Sequence, residues 1–491
     1  MTMKFRHIAL PSLLALSLSL APAAARTPDT SSVQTIAEQK LADRPAGSRV
    51  GLLVTTMEGE TLVSITPDQR FIPASNTKMF TTAIGYAQLP VLDSTAKGTG
   101  VRVDRSNGAP DVVLHGRGDP LLSSADDCVQ NCLQMLADAV ARSTRHVRHI
   151  IGDDSWLPDE RWSPGMSWNN IQSRYGTATS ALTLDDNELV VMLTPGAVGT
   201  APRLASSGYY DIENRIVTVA GKDEDVVAER IPNSRTLRLT GTIGADAPAM
   251  TLRYGIDDPA HFAAWRLREL LRARGVRVDG NIEVRHRPLT PADDPKQRGT
   301  TLFEAPVEPV MLAELTPQPL AENMIRINKE SQNLHSELML RRVARQSGSG
   351  SIADGQAVMR RVMTEAGIAE TGYDFSDGSG MSSYNRITPR AAVGLLTWIA
   401  RQPWGAAWRD TLPIAGRDGT LQNRFKGTLL EGRLFAKTGS LNASRALSGY
   451  MVTRSGRTLI FSVLANDMPN GTDSQATAAV DRMLVAIAEA L

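Results

Sequence analysis

The middle of this chain, from about residue 90 to 300, differs in pattern from both ends, and this contrast most constrains the fold. Alternating Val, Thr and Arg residues with many Gly and Pro run through it, as in VVLHGRGDP and TLRLTGTI, which is typical of short strands and turns. At 491 residues the chain is also long for one domain. The sequence therefore predicts two to four domains, with strand-rich, partly separate modules in the middle.

The two ends combine strand-like and helical runs. Residues 49–65, RVGLLVTTMEGETLVSI, predict two short strands joined by a Glu-Gly turn, and residues 433–466 predict consecutive antiparallel strands. Residues 321–345, AENMIRINKESQNLHSELMLRRVAR, predict one long helical run. The closing ATAAVDRMLVAIAEAL predicts a helix with an apolar face.

The first residues indicate export. A basic MTMKFRH precedes the apolar IALPSLLALSLSL, and Ala23 and Ala25 then form a small-x-small cleavage pattern. Residues 1–25 therefore predict a signal peptide, and an uncleaved anchor is the alternative. No later segment is apolar for long enough to span a bilayer, so we expect no transmembrane anchor after cleavage. The expected location is the periplasm, with a loose association with the membrane left open.

Two cysteines, Cys128 and Cys132, are the only ones in the chain. In an exported protein such a pair is more often a disulfide than two free thiols. Their spacing would place them about one helical turn apart, which is an awkward geometry for a bridge. Whether they form a disulfide stays open, and a metal site is disfavoured because no histidine accompanies them.

Charge and missing motifs exclude several classes of function. Lys and Arg number 53 against 52 Asp and Glu, so no basic excess favours a nucleic-acid partner. The chain has no G-x-S-x-G, no H-E-x-x-H and no phosphate-binding G-x-x-x-x-G-K-[ST]. We therefore expect neither a metal nor an organic cofactor.

The stretch IPASNTKMFT contains Ser75 and Lys78 in an S-x-x-K arrangement. The apolar spacing that follows predicts a helix, which would place both side chains on one face. A second match, Ser94 and Lys97, is followed by GTGVRVD, which offers no such helix. Taken alone, the first match is better explained as a helix cap followed by a surface lysine.

Two further motifs strengthen the first. K-T-G occurs once, at Lys437-Thr438-Gly439, followed by Ser440. S-x-N occurs four times, and only Ser331-Gln-Asn333 lies between the other two motifs and within the long helical run. S-x-x-K, S-x-N and K-T-G in this order occur in serine enzymes that bind penicillin.

The chemistry of this combination is coherent. The Ser75 hydroxyl needs a base, and Lys78 can serve if burial and a neighbouring cation such as Lys437 lower its pKa. Ser331 can pass a proton to the leaving amine, and Asn333 can hold the substrate amide.

The strand that carries K-T-G can contribute through its backbone. The small Gly439 would let a strand edge approach the substrate backbone. The N–H groups of Ser75 and Ser440 would form an oxyanion hole.

Longer blocks extend the match. RFIPASNTKMFTTA, WSPGMSWNNIQSRYGTATSAL, AENMIRINKESQNLHSELMLR, FSDGSGMSSYNRITP, LPIAGRDGTLQNRF and FAKTGSLNASRALSGY resemble signature blocks of one family. This is the D-alanyl-D-alanine carboxypeptidase/endopeptidase family of class C low-molecular-mass penicillin-binding proteins, the DacB-like S13 peptidases.

The resemblance implies an α+β fold. A transpeptidase/β-lactamase-like domain, with an antiparallel sheet between helix layers, would be interrupted by two nested strand-rich inserted domains. The implied catalytic domain is 26–88 with 302–491. The implied inserted domain II is 89–183 with 252–301, and domain III is 184–251.

The resemblance also implies roles by position. Ser75 would be the acylated nucleophile and Lys78 its base, while Lys437 and Thr438 would contact the terminal carboxylate of the substrate. In DGSGMSS, Ser383 stands where the family commonly has Arg, so the subsite for the stem-peptide side chain is in doubt. Asp159 is a candidate partner for the ammonium of that side chain, and Arg386 is a candidate replacement for the missing Arg.

The implied activity is that of a serine D,D-carboxypeptidase and D,D-endopeptidase. Its partners would be peptidoglycan stem peptides, and β-lactam antibiotics would inhibit it covalently. Two alternatives remain: a β-lactamase or esterase built on the same motifs, and a non-catalytic peptidoglycan-binding protein.

Overall fold

A computed structural model of the chain describes residues 30–89, 97–105, 108–231 and 234–491. The predicted signal peptide, residues 1–25, and Ser94 of the second S-x-x-K match lie outside these ranges. None of the helices within them combines the length and apolar character that a membrane span requires.

The first part of the structure forms a helix, a strand hairpin and a second helix. These elements are α1 (Thr30–Leu41), β1 (Arg49–Thr56), β2 (Thr61–Ile65) and α2 (Thr77–Gln88). The hairpin turn contains Gly59, whose φ of 101° favours glycine. The predicted hairpin is therefore confirmed.

In the described part of the region between residues 97 and 314, strands outnumber helices, as predicted. Its strands are β3 (Gly100–Asp104), β4 (Asp111–His115), β5 (His146–Val147), β6 (Ile150–Pro158), β7 (Glu188–Thr194), β8 (Arg203–Ser206), β9 (Asp211–Val219), β10 (Glu224–Arg230), β11 (Thr236–Gly244), β12 (Met250–Gly255), β13 (Arg277–Val278), β14 (Ile282–Arg287) and β15 (Ala313–Glu314). Its helices are α3 (Leu133–Ser143), α4 (Pro259–Ala273) and the single turn α5 (Pro295–Arg298).

The last part of the structure returns to mixed elements. Its helices are α6 (Leu320–Ile325), α7 (Asn333–Arg345), α8 (Ile352–Glu365), α9 (Pro389–Ala400), α10 (Gly405–Asp410) and α11 (Asp473–Ala490). Its strands are β16 (Tyr373–Asp374), β17 (Arg386–Ile387), β18 (Leu434–Leu441), β19 (Ser444–Val452) and β20 (Thr458–Asn466).

One five-stranded antiparallel sheet joins the two ends of the chain, in the order β18-β19-β20-β1-β2. Neighbouring residues of β1 point to opposite faces, as the pleat requires. Leu52 packs with α1 and α11, whereas Leu53 packs with α2, α7 and α9. The predicted sheet between helix layers is therefore confirmed. Burial of each such leucine stabilises the fold by about 1.5–3 kcal/mol.

The strands of the middle region form three larger sheets, with orders β14-β6-β4-β3-β15, β12-β7-β8 and β10-β11-β9. One hydrophobic core connects them, because Leu136 of α3, Leu189 of β7, Leu239 of β11 and Leu267 of α4 belong to the same buried cluster. The predicted boundaries between domains II and III stay a prediction.

The predicted single helical run over residues 321–345 is wrong at its centre. Helix α6 is followed by one π-helical turn, Arg326–Glu330, and Ser331 then adopts a left-handed conformation with φ 62° before α7 begins at Asn333. The break allows the Ser331 hydroxyl to accept a hydrogen bond from Lys437, so a tertiary contact overrides local helix periodicity.

Cys128 and Cys132 form a disulfide, with their Cα atoms 5.8 Å apart. The expectation that they lie one helical turn apart is wrong, because α3 begins only at Leu133 and Cys128 lies in the preceding turn. Non-helical backbone between the two residues allows the bridge.

Candidate functional site

Ser75 lies in a single 3-10 turn, Ala74–Asn76, that leads directly into α2. It is half-buried, and Ala74 before it has a φ of 47°, which is unusual for a residue with a side chain. The predicted position at a helix N-terminus is confirmed. Unpaired backbone N–H groups at such a terminus favour negative charge that develops near the serine.

Lys78 is fully buried one turn after Ser75. Its Nζ donates to Ser75 Oγ at 2.9 Å, to Asn333 Oδ1 at 2.6 Å and to the carbonyl oxygen of Ser379 at 2.6 Å. The alternative of a surface lysine is therefore wrong. Burial lowers the pKa of Lys78 to about 7, although the nearby Asp377 and Glu337 carboxyl groups oppose this shift.

Lys437 joins the third motif to the second. It is buried in β18, and its Nζ donates to Ser331 Oγ at 2.9 Å. Burial, together with the charge of Lys78, lowers the pKa of Lys437 well below its usual value. Burial is thus the main cause of the low pKa of both lysines. The charge of Lys78 lowers the pKa of Lys437 further.

The structure brings together the residues of all three motifs. Asn333 accepts from Lys78 and donates through Nδ2 to the carbonyl oxygen of Tyr175 at 2.8 Å. Asn76 Nδ2 donates to the carbonyl oxygen of Lys437 at 2.8 Å and so ties β18 to the turn that carries Ser75.

Gly439 must be small because the segment before Ser75 packs closely against it. A Cβ atom there would lie 2.6 Å from the carbonyl oxygen of Pro73 and 3.3 Å from Cβ of Ala74. Gly439 therefore lets β18 lie against the segment before Ser75. Thr438 donates to the Thr420 hydroxyl at 2.7 Å, and Ser440 is exposed at the same strand.

Two buried carboxyl groups behind Lys78 were not predicted. Glu337 accepts from the N–H groups of Gly378 and Ser379, at 3.1 Å and 2.9 Å. Asp377 accepts from the N–H groups of Gly380 and Ser382, at 2.8 Å and 2.6 Å. Burial, reinforced by Asp377, raises the pKa of Glu337 to about 7.

A signal for Glu337 was present in the sequence. It follows Asn333 by four residues on α7, so both side chains lie on one helix face. Asp377 opens the DGSG block, but nothing in that block predicts which side chain its loop will face.

The DGSG loop forms a wall of the site. Gly380 has φ 88°, and a Cβ atom there would clash with the carbonyl group of Ala74 and lie 3.0 Å from the backbone nitrogen of Ser75. Lys78 also donates to the carbonyl oxygen of Ser379 in this loop. The loop therefore fixes both the nucleophile turn and the lysine.

The two residues predicted for the side-chain subsite are engaged within the chain. Asp159 pairs with Arg161, with 3.1 Å between carboxylate oxygen and guanidinium nitrogen. Arg386 donates to the carbonyl oxygens of Ser383 and Asn385, at 2.6 Å and 2.8 Å. Neither forms a hydrogen bond or an ion pair with a residue of the three motifs in the described part of the chain, and their predicted roles in substrate binding stay predictions.

Comparison with protein families identifies the family of this chain. The model of the D-Ala-D-Ala carboxypeptidase 3 (S13) family matches residues 33–490. This chain belongs to the S13 family. The family and the D-alanyl-D-alanine carboxypeptidase class predicted from the sequence are therefore confirmed.

Individual relatives agree with this placement. The S13 chain is 32% identical over 437 residues to a D-alanyl-D-alanine carboxypeptidase of an Actinomadura species, and the match covers 84% of this chain and 77% of that protein. It is 22% identical over 449 residues to the D-alanyl-D-alanine carboxypeptidase DacB of Haemophilus influenzae, with 87% of each covered.

A solved structure shows the same fold. The crystal structure of penicillin-binding protein 4 (DacB) from Haemophilus influenzae superimposes with a TM-score of 0.76 and 20% sequence identity. The match covers 91% of this chain and 98% of that one. The predicted α+β fold with its antiparallel sheet is therefore confirmed, and the predicted domain division stays a prediction.

Proposed function

We propose that this S13 peptidase is an exported serine D,D-carboxypeptidase and D,D-endopeptidase of peptidoglycan, with Ser75 as the acylated residue. One observation carries the proposal: the buried Lys78, with a pKa lowered to about 7, lies 2.9 Å from Ser75 Oγ. A lysine that is neutral near pH 7 can take the proton of a serine hydroxyl.

Acylation uses Ser75 as the nucleophile. Its Oγ attacks the carbonyl carbon of the D-Ala-D-Ala peptide bond, and its proton passes to Lys78 Nζ. The N–H groups of Ser75 and Ser440 are proposed to bind the resulting oxyanion, because strand β18 lies against the nucleophile turn. The C–N bond then breaks, which leaves an ester on Ser75.

The second motif handles the leaving group. The proton held by Lys78 returns to the nitrogen of the departing D-alanine through the Ser331 hydroxyl, so Lys78 becomes neutral again. Asn333, fixed between Lys78 and the Tyr175 carbonyl, offers its amide to the peptide backbone of the substrate. Water then attacks the ester and gives a proton to Lys78. As the bond between the carbonyl carbon and Ser75 Oγ breaks, Lys78 passes that proton to Ser75 Oγ, which restores the serine hydroxyl and the neutral lysine.

The third motif is proposed to bind the terminal carboxylate. Lys437 and Thr438 supply an amine and a hydroxyl at β18. Because the pKa of Lys437 is well below its usual value in the free protein, an incoming carboxylate would raise it and favour the charged form. Anionic C-terminal peptides and the carboxylate of β-lactams share this requirement, and the Haemophilus protein has been solved in complex with a β-lactam.

The proposal is tested by incubating the mature protein with benzylpenicillin and measuring intact mass, with peptide mapping of any adduct. We expect one stable adduct on Ser75, absent in Ser75→Ala and retained in Ser94→Ala, the serine of the second S-x-x-K match. In parallel, the wild type should release D-alanine from a stem pentapeptide and cleave a cross-linked dimer of stem peptides.

Other outcomes distinguish the alternatives. Penicillin that is consumed without an accumulating adduct would favour a β-lactamase. Intact penicillin, no adduct and no release of D-alanine would favour a non-catalytic peptidoglycan-binding protein.

The rate of acylation should depend on the protonation of Lys78. Only the neutral amine accepts a proton, so the second-order rate constant with benzylpenicillin should rise about tenfold per pH unit below pH 7 and level off above it. In Glu337→Gln the acidic limb should move to lower pH, because Glu337 raises the pKa of Lys78.

Rates measured from pH 5 to pH 9 check this expectation. Glu322→Gln, an exposed position on α6, serves as the control and should keep the wild-type profile. A wild-type rate that falls as pH rises through 7, or a Glu337→Gln profile displaced to higher pH, would contradict it.

A further inference from the structure

A cavity of about 540 Å³ lies in the strand-rich middle region. It is lined by residues of segment 161–172, by Tyr209, Tyr210 and Arg230, and by residues at 234–235 and 257–261. None of the motif residues around Ser75 lines it. Its volume lies within the range of sites that bind small molecules.

The walls of this cavity are aromatic and held in place. Trp168 stands at the rim with 77% of its surface exposed, whereas Tyr209 and Tyr210 are buried below it. The Tyr209 ring packs against Phe262 at a centroid distance of 4.9 Å. Trp162 Nε1 donates to the carbonyl oxygen of Gly176 at 2.8 Å. The exposed Trp168 ring can therefore pack against an apolar ring face of a ligand, and the buried tyrosines support the wall beneath it.

The charges of the lining largely neutralise one another. Arg230 pairs with Asp257 at 2.5 Å, and Arg161 pairs with Asp258 at 3.3 Å. Arg235 has no carboxylate partner among the described residues; it donates to the carbonyl oxygen of Tyr209 and lies over the Tyr209 ring at 4.4 Å. The cavity thus offers many fixed polar groups but little net charge, which favours a neutral ligand rich in hydroxyl and amide groups.

One chain segment, residues 161–176, links the cavity to the Ser75 site. Segment 161–176 contributes Trp168 to the cavity, and the carbonyl oxygen of its Tyr175 accepts from Asn333. The same segment receives a hydrogen bond from Ser383 N–H at the Gly165 carbonyl oxygen, at 2.9 Å. A polymer bound in the cavity would therefore contact the segment that also positions Asn333.

We propose that this cavity binds a short stretch of the peptidoglycan glycan strand through its N-acetylated amino sugars. The inference rests on the proposed function, because the stem peptide that enters the Ser75 site is covalently attached to such sugars. Sugar rings present an apolar face to the exposed Trp168 ring, and their hydroxyl and acetamido groups meet the fixed polar side chains. Binding both parts of one molecule raises the effective concentration of the stem peptide at Ser75.

The test uses full-length mature protein carrying Ser75→Ala and a peptide-free probe, the tetramer of N-acetylglucosamine, in isothermal titration calorimetry. We expect binding that weakens at least tenfold when Trp168→Ala or Arg235→Gln is added. Leu302→Ala removes an equally exposed apolar side chain that does not line the cavity, and it should bind as before. With Ser75 intact, Trp168→Ala should release D-alanine from a glycan-free pentapeptide at the wild-type rate.

Two outcomes would contradict the inference and leave the proposed function unaffected. In the first, the tetramer does not bind, or binds equally to Trp168→Ala, while the wild type still releases D-alanine. In the second, a glycan-free stem peptide binds and Trp168→Ala weakens that binding, which would make the cavity a peptide subsite. Loss of D-alanine release in the wild type would instead contradict the proposed function, and tetramer binding would still be judged by itself.

Discussion

Lys78→Met should slow acylation by benzylpenicillin by about 10²–10⁴-fold while leaving Ser75 in place. Methionine is similar in length and apolar, so it fills the buried site, but it cannot take the serine proton. The substitution also leaves Asn333 Oδ1 and the Ser379 carbonyl without the Lys78 donor, which costs about 1–3 kcal/mol for each buried group. Removal of an amine that is costly to bury offsets part of that loss.

The acylation rate is measured by intact mass over time, and folding by thermal unfolding with near-ultraviolet circular dichroism. Lys97→Met is the matched control, since Lys97 belongs to the second S-x-x-K match and 63% of its side chain is exposed. It should acylate at the wild-type rate. Acylation of folded Lys78→Met within tenfold of the wild type would rule out Lys78 as the base.

Gly380→Ala should slow acylation by about 100-fold or more, although this residue carries no chemical group. The added Cβ would clash with the carbonyl group of Ala74, so the turn that carries Ser75 must shift. Displacement of a reacting group by about 1 Å can cost a factor of about 100 in rate. The positive φ of 88° adds backbone strain of about 1–2 kcal/mol for a residue with a side chain.

Gly47→Ala separates the two effects. Gly47 has a similar φ of 83°, and an added Cβ atom there meets no atom within 4 Å. Gly47→Ala should therefore lose only the stability that the φ strain costs, Gly380→Ala should lose more because of the clash, and only Gly380→Ala should lose acylation. Equal acylation rates in the two variants would show that the DGSG loop does not set the position of Ser75.

Lys78→Met and Gly380→Ala both disturb a site that is assembled from distant parts of the chain. Lys78 contacts Asn333, 255 residues later, and Ser379, 301 residues later. The site therefore depends on the packing of α2, α7, the DGSG loop and β18 against one another. The positive φ values of Ala74 and Ser331 show that this packing holds the backbone in conformations that isolated chains seldom adopt.

The sequence alone determined the local elements and the chemical identity of the site. Strand-like runs bounded by turn residues predicted β1 and β2 in residues 49–65, and β18, β19 and β20 in residues 433–466. The structure buries β1, β19 and β20 on both faces. The motif order selected Ser331 and Asn333 from four S-x-N matches, and the structure brings these two residues to Lys437 and Lys78. The order of the motifs could identify these residues because each motif is a short pattern that is visible in the local sequence.

Only the tertiary structure decided the rest. The break at Ser331, the use of Gly439 to clear Pro73, and the burial that lowers the pKa of Lys78 all arise from contacts between residues far apart in the chain. Glu337 lay on the same helix face as Asn333, but its effect on Lys78 depends on the DGSG loop that packs against it. Local periodicity carries no information about such contacts, because desolvation and steric clearance depend on which distant segments pack together.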